Sequence, residues 1–364
     1  MPNLNDIHDI VETQIGTFVK GRWDYIGLAQ LYPKLEVLGQ LVPRKESLTN
    51  YEQTVLYQTA TESTGHGAKP GDPIQPVQKK NALKRKVKCV KYVDSIGWTL
   101  DQDSLQGKSD EHIVRAVQMD LVGFDLHHWQ DLEHGLLKKA NVAVDPDDDQ
   151  PYYGFPAHVT DNSGQTSLFE LKGGDDPYSG VGRPGGISVS DHPGYTNPTG
   201  VFDTVSDDNF FKMLDLFLEQ RKMMGAVPNP RLLPDTPNDI IYGNLNLKTA
   251  ISTYLTASNE NIGMDAGRYR GMPSYKGIPI VVWHAMSHVD SPVRVTGEGR
   301  GYLIDWNSFR YGVAPEYDRK ITGPEKINLV PSGVTVWSEL WHQLSCDRPD
   351  RNLFFRTDTP ALQE

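Results

Sequence analysis

The chain has 364 residues, 38% of them hydrophobic, and sets 36 Lys+Arg against 47 Asp+Glu for a charge of −11 and a pI near 5.5. That length leads us to expect two or three subdomains with real apolar cores, and the acidic balance excludes a nucleic-acid coat held on by overall positive charge. Cys89 and Cys346 are too few for a disulfide scaffold or a multi-cysteine zinc module, and neither signal peptide nor membrane span is legible, so an intracellular soluble chain is expected.

Residues 1–47 read as a helical or extended arm. Ile7, Ile10, Val11, Phe18 and Val19 recur at spacings near three and four, but Gly16 and Gly21 interrupt them. So thin an apolar face is expected to lie on something else. From Leu48 the period changes to two, and Asn50 to Thr61 is rich in β-branched and aromatic residues. A turn-rich stretch, Ser63 to Pro73, is followed by a second strand from about Leu83 to Trp98. Two strands around a Gly/Pro tip describe a long hairpin, and the tip is too polar to enter its own subunit's core.

Asp110 to Lys139 predicts one long helix. Ile113, Val117, Leu121, Phe124, His128, Leu132 and Leu136 form a continuous stripe, with Ser109 as N-cap. Asp110 and Glu111 in the first turn, and Lys138 and Lys139 in the last, suit the helix dipole. At 1.5 Å per residue such a helix is about 45 Å long. It would act as a beam.

Residues 141–200 hold seven of the 25 prolines and ten of the 33 glycines and read as a loop-rich insertion. Short strands are expected near Ser167 to Leu171 and Ile187 to Ser190. A helix is expected from Asp207 to Met224, with Phe210, Phe211, Leu214, Phe217 and Leu218 on its apolar side. Strands follow at Asp239 to Tyr242, Ile278 to Trp283 and Gly301 to Asp305, and a helix at Leu247 to Leu255. Residues 327–357 alternate again, with Val334, Val336, Leu340, Leu344 and Phe354 marking strand-like runs. No internal repeat occurs.

Several short motifs tempt and fail. Gly180-Val181-Gly182-Arg183-Pro184-Gly185 spells GxGxxG, but Asp175-Asp176-Pro177 precedes it and Pro184-Gly185-Gly186 blocks the helix a pyrophosphate would need. Gly107-Lys108-Ser109 lacks the upstream glycine of a phosphate loop, and Asp101 and Asp103 would repel the anion. His127, Asp131 and His134 share a helix face without an HExxH or a cysteine pair, and read as a polar face. Asp145, Asp147, Asp148 and Asp149 begin like a calcium loop, but Gln150 and Pro156 stand where glycine and glutamate are required. No nucleophile elbow is present. No catalytic residue, metal or cofactor is expected.

One charge feature remains. Lys79, Lys80, Lys84, Arg85, Lys86, Lys88 and Lys91 cluster with no acidic residue between Asp72 and Asp94. On a strand these would populate both faces. Two readings stay open: an edge strand kept soluble by lysine, or a contact with an acidic surface on another copy of the chain.

Taken in order, the elements are an arm, a hairpin running into Ser95-Ile96-Gly97-Trp98-Thr99-Leu100, one long helix, a mixed α/β region and a terminal strand pair. That order resembles the major capsid proteins of tailed bacteriophages, the Hong Kong phage-type (Johnson) α+β fold shared by encapsulins. Tyr275-Lys276-Gly277-Ile278-Pro279-Ile280-Val281 looks like the family's G-(I/V)-P-V strand entry, and Gly301 to Ser308 is similar to its strand-then-turn passage. Leu340 to Pro349 resembles its last P-domain strand.

The resemblance implies an N-terminal arm at 1–47, an E-loop hairpin at 48–83 and a P-domain strand with spine helix at 84–140. It then implies the insertion at 141–200, an A-domain at 201–324 and P-domain C-terminal strands at 325–364. It implies pentamers and hexamers of this chain in an icosahedral head around double-stranded DNA, with portal and decoration proteins. The 47 residues before the hairpin are too few for a fused scaffolding domain, so a separate scaffolding protein is implied. An encapsulin-type compartment is the alternative; a nucleotide-binding α/β enzyme is further off. Subunit contacts are expected at the tip (Gly65, Lys69, Asp72) and the basic strand (Lys84, Arg85, Lys86, Lys88). Their expected acidic partners are Asp110, Glu111, Asp120, Asp131 and Glu133 on the long helix.

Overall fold

A computed structural model describes residues 36–48, 52–58, 82–99, 110–137, 154–162, 164–176, 183–184, 187, 189–190, 192, 194–224, 237–258, 273–287, 299–326 and 333–357. The described residues begin with α1 (Leu38–Leu41) and the strands β1 (Lys45–Ser47), β2 (Glu52–Gln58), β3 (Ala82–Lys88) and β4 (Val90–Thr99). The long helix α2 (Asp110–Gly135) and the single turn α3 (Phe155–His158) come next, then β5 (Phe169–Glu170) and β6 (Thr199–Phe202). A π-turn at Asp207–Phe211 leads into α4 (Lys212–Lys222), followed by β7 (Asp239–Gly243) and α5 (Leu245–Ser258). The remaining strands are β8 (Ser274–Tyr275), β9 (Ile278–Val282), β10 (Arg300–Asp305), β11 (Phe309–Val313), β12 (Lys320–Lys326), β13 (Gly333–Cys346) and β14 (Leu353–Thr357).

These elements form two compact units. The first holds α1, β1, β4 and α2 together with residues 311–343. Its sheet runs β1-β11-β13-β12, with β4 also paired to β13. Strand β4 meets β13 antiparallel without interruption from Thr99 opposite Gly333 to Val90 opposite His342. Val117, Leu121, Phe124 and Leu132 of α2 and Leu136 just past its end are buried, as are Trp98, Val334, Val336 and Leu340 of the sheet. Each such side chain contributes about 1.5–3 kcal/mol on leaving water. The helix stops at Gly135, short of the Lys139 expected from the sequence, because glycine favours the end of a helix over its interior. Lys138 and Lys139 lie outside the described residues.

The second unit comprises residues 52–88, 137–310 and 344–364. Its sheet runs β5-β6-β14-β10-β7-β9-β8. Strand β10 is antiparallel to both β7 and β14, while β6 lies parallel to β14 and β9 parallel to β7. Alternation along these strands builds two cores. Ile241, Leu303, Leu353 and Phe355 join Phe210, Met213, Leu214 and Phe217 of the π-turn and α4, and Leu247 and Ile251 of α5. Tyr242, Tyr302 and Phe354 take the other parity. Phe155 of α3 meets Trp283, Tyr302, Trp306 and Phe309 with ring centroids 4.8 to 6.4 Å apart.

Two sequence expectations need adjustment. The strand read from Leu83 to Trp98 is two strands broken at Cys89: β3 pairs with β2, and β4 pairs with β13. The tail is also divided, since β13 belongs to the first sheet while β14 lies between β6 and β10 in the second. Local period two marks both as strands and is silent about which sheet receives them.

Candidate functional site

Strands β2 and β3 pair antiparallel from Glu52 opposite Lys88 to Gln58 opposite Ala82. Residues directly opposite share a face, so Val55, Arg85 and Val87 lie on one side. Val55 and Val87 are buried against Ile187 and Tyr195, which anchors the hairpin base on residues from the loop-rich 141–200 stretch. Lys84, Lys86 and Lys88 occupy the opposite side and are all exposed. Lys86 Nζ meets Glu52 Oε2 at 2.5 Å. The basic residues of β3 populate both faces, as expected: alternation puts three lysines on one and Arg85, also exposed, on the other. Lys91 belongs to β4, where it pairs with Glu339 at 2.9 Å and sits 6.0 Å from the Trp341 ring centre.

The acidic candidates on α2 separate by environment. Glu133 is 4% exposed, and its carboxylate accepts the backbone N–H groups of Val37 at 3.1 Å and Leu38 at 2.9 Å. It caps α1 of its own chain and is not available to a neighbour's lysine. Asp131 accepts the Tyr92 hydroxyl at 3.4 Å and lies 3.3 Å from His127 Nδ1, so this part of the polar helix face finds its partners within the chain. Asp120 accepts the Trp98 indole N–H at 3.0 Å and is otherwise exposed. Asp110 and Glu111 lie in the first turn of α2, and their side chains are outside the described residues. The tip residues Gly65, Lys69 and Asp72 are also outside them, as are Gly107-Lys108-Ser109 and the aspartate run at 145–149.

No constellation for chemistry assembles among the described residues. Burial pushes the Cys89 thiol up to about 12 and raises Cys346 as well, the opposite of what a reactive thiolate needs. No group of three metal-ligating side chains converges among the described residues, and none of their helices is long and apolar enough to cross a membrane. Arg183, inside the GxGxxG match, is 1% exposed. It donates to the His158 carbonyl, to Thr160 Oγ1 at 2.9 Å and to Asn197 Oδ1 at 3.0 Å. It bridges back to Ile187 as a strand does, not as a helix start does. The arginine staples the loop-rich stretch from inside.

Periodicity missed a second set of buried charges. Asp305 is fully buried and receives Arg221 at 2.8 Å and Arg351 at 2.6 Å, while Asp125 of α2 is fully buried against Arg319. Their partners lie far off in sequence, so no local spacing advertises them.

No protein-family model and no curated protein sequence matches the chain. Solved structures do. A chain of the cyanophage A-1(L) capsid asymmetric unit is 14% identical with a TM-score of 0.60, covering 89% of this chain and 92% of that one. A chain of Mycobacterium phage Bobi is 10% identical with a TM-score of 0.50, covering 89% and 90% respectively. At such identities the likeness is one of fold, and it spans both compact units.

Proposed function

We propose that this chain, which has the Hong Kong phage-type (Johnson) capsid fold, is the repeating structural subunit of an icosahedral phage head enclosing double-stranded DNA. The observation that carries the reading is the fold match to a capsid chain over 89% of the sequence. The net charge of −11 suits a shell that encloses DNA without gripping it. In this reading the subunits form pentamers and hexamers around the region 201–324, and the arm and hairpin reach across to neighbouring copies. A separate scaffolding protein, a portal and decoration proteins complete the particle.

The exposed face of Lys84, Lys86 and Lys88, with Arg85 and the tip from Gly65 to Asp72, is the proposed contact with a neighbour. Among the described residues the hairpin buries Val55 and Val87, and an isolated two-stranded hairpin is marginal in water. The acidic surface it meets includes Asp120 and the first turn of α2, Asp110 and Glu111, with Asp131 a weaker candidate. Each exposed pair contributes about 0.2–1 kcal/mol, and a shell repeats it at every subunit. Assembly is therefore expected to weaken as salt rises. The double variant Lys84→Glu/Arg85→Glu should keep the circular dichroism and melting behaviour of the parent chain while its shell yield falls at least tenfold. Normal yields, judged by sedimentation, would remove these residues from the interface.

A further inference from the structure

Within the first unit, the turn between a short 3-10 helix at Pro315–Tyr317 and β12 touches three other elements. Asp318 pairs with Lys45 of β1. Arg319 pairs with the fully buried Asp125 of α2, and its guanidinium lies 5.4 Å from the Trp129 ring centre on the same helix. Tyr317 stacks on Trp341 of β13 with centroids 5.2 Å apart. Arg319 holds all this with φ at 55°, in the left-handed region that side chains bearing a Cβ avoid. A residue stays in such a conformation when its surroundings over-determine it.

We infer that the Asp318–Arg319 turn is a strained coupler, a conformational device that ties the N-terminal segment around β1 to the long helix. If the Arg319 backbone relaxes to negative φ, its side chain swings away and Asp125 loses its cation while still buried. Relaxation therefore requires α2 to shift so that Asp125 reaches water. Movement of β1 acts on the same turn through Lys45 and Asp318. Glu133 binds the helix to the N-terminal segment a second time through the backbone of Val37 and Leu38. The inference rests on the geometry of this unit and not on the shell reading.

Hydrogen exchange on the full-length chain, followed by mass spectrometry, tests it. Arg319→Gly tolerates the left-handed turn and removes only the side chain. Exchange should rise at least tenfold both in α2 around 121–132 and in 45–48. Adding Asp125→Asn should restore most of the protection, because no uncompensated carboxylate then remains. Coupling is reciprocal, so Lys45→Met, a mild change at a half-exposed pair, should raise exchange around Asp125 by a few fold. That variant also decides the matter if Arg319→Gly does not fold. If Lys45→Met leaves α2 at parental exchange, or Arg319→Gly loosens the helix while 45–48 is unchanged, the elements are not coupled through this turn.

Discussion

Asp305→Ala is expected to destabilise the chain by about 3–5 kcal/mol, a large part of the whole stability of an ordinary domain. The carboxylate is fully buried at the end of β10 and does three things at once. It receives Arg221 of α4 at 2.8 Å and Arg351 at 2.6 Å, and it accepts the backbone N–H of Asn307 at 3.1 Å to start the 3-10 turn at Trp306–Ser308. Removing it leaves Arg221 with Asp239 at 2.7 Å and strips Arg351 of this partner, with the two arginine side chains only 11% and 17% exposed. Buried pairs often contribute little net stability when built, yet breaking one side is costly because the surviving charge has no water. Asp305→Asn keeps an oxygen for the turn and should cost less than the alanine. Urea denaturation measures both; a loss under 1 kcal/mol for the alanine would mean that water reaches the arginines.

Acid is expected to undo the fold through histidines buried in neutral form. Burial pushes His128 down to about 4, and His158 and His342 down to about 3. In the unfolded chain each titrates near 6.5. The unfolded state therefore binds protons that the folded state refuses, and stability falls as pH falls. The loss is absent above about pH 6.5, grows below it, and levels off only once pH has passed the folded values near 4 and 3. At pH 5 each histidine accounts for roughly 2 kcal/mol, and three together approach the stability of a domain. Urea midpoints at pH 7 and pH 5 should differ accordingly. His128 lies edge-on to Tyr92 with centroids 4.9 Å apart, and neither ring nitrogen has a hydrogen-bond partner among the described residues. His128→Leu should thus fold, and should shrink the acid-induced drop by about a third. An unchanged drop would place the acid sensitivity elsewhere.

The long helix was legible because its apolar residues recur by fours and one three over six turns, a spacing no strand can use. The hairpin was legible as two β-rich runs around a Gly/Pro tip, and its lysines by an absence of acid over twenty residues. Sequence could not assign partners. Glu133 reads as one more charge on an amphipathic helix until α1, some 95 residues earlier, brings two backbone N–H groups to it. Strand β6 is only four residues and wholly buried, so no alternation betrays it within a Gly/Pro-rich stretch. Strand β12 contains Gly323 and Pro324 at an irregularity in its pairing, which masks its period. Local chemistry selects the elements, and long-range packing decides which sheet each joins.

Electron cryomicroscopy of particles made when the full-length chain is co-expressed with the separate scaffolding protein proposed for it bears most directly on the proposed function. The expected map shows closed icosahedral shells of pentamers and hexamers of this chain, with the Lys84–Lys88 face seated on a neighbouring copy. A chain that stays monomeric beside its scaffold, or shells whose density traces a different polypeptide, would contradict it.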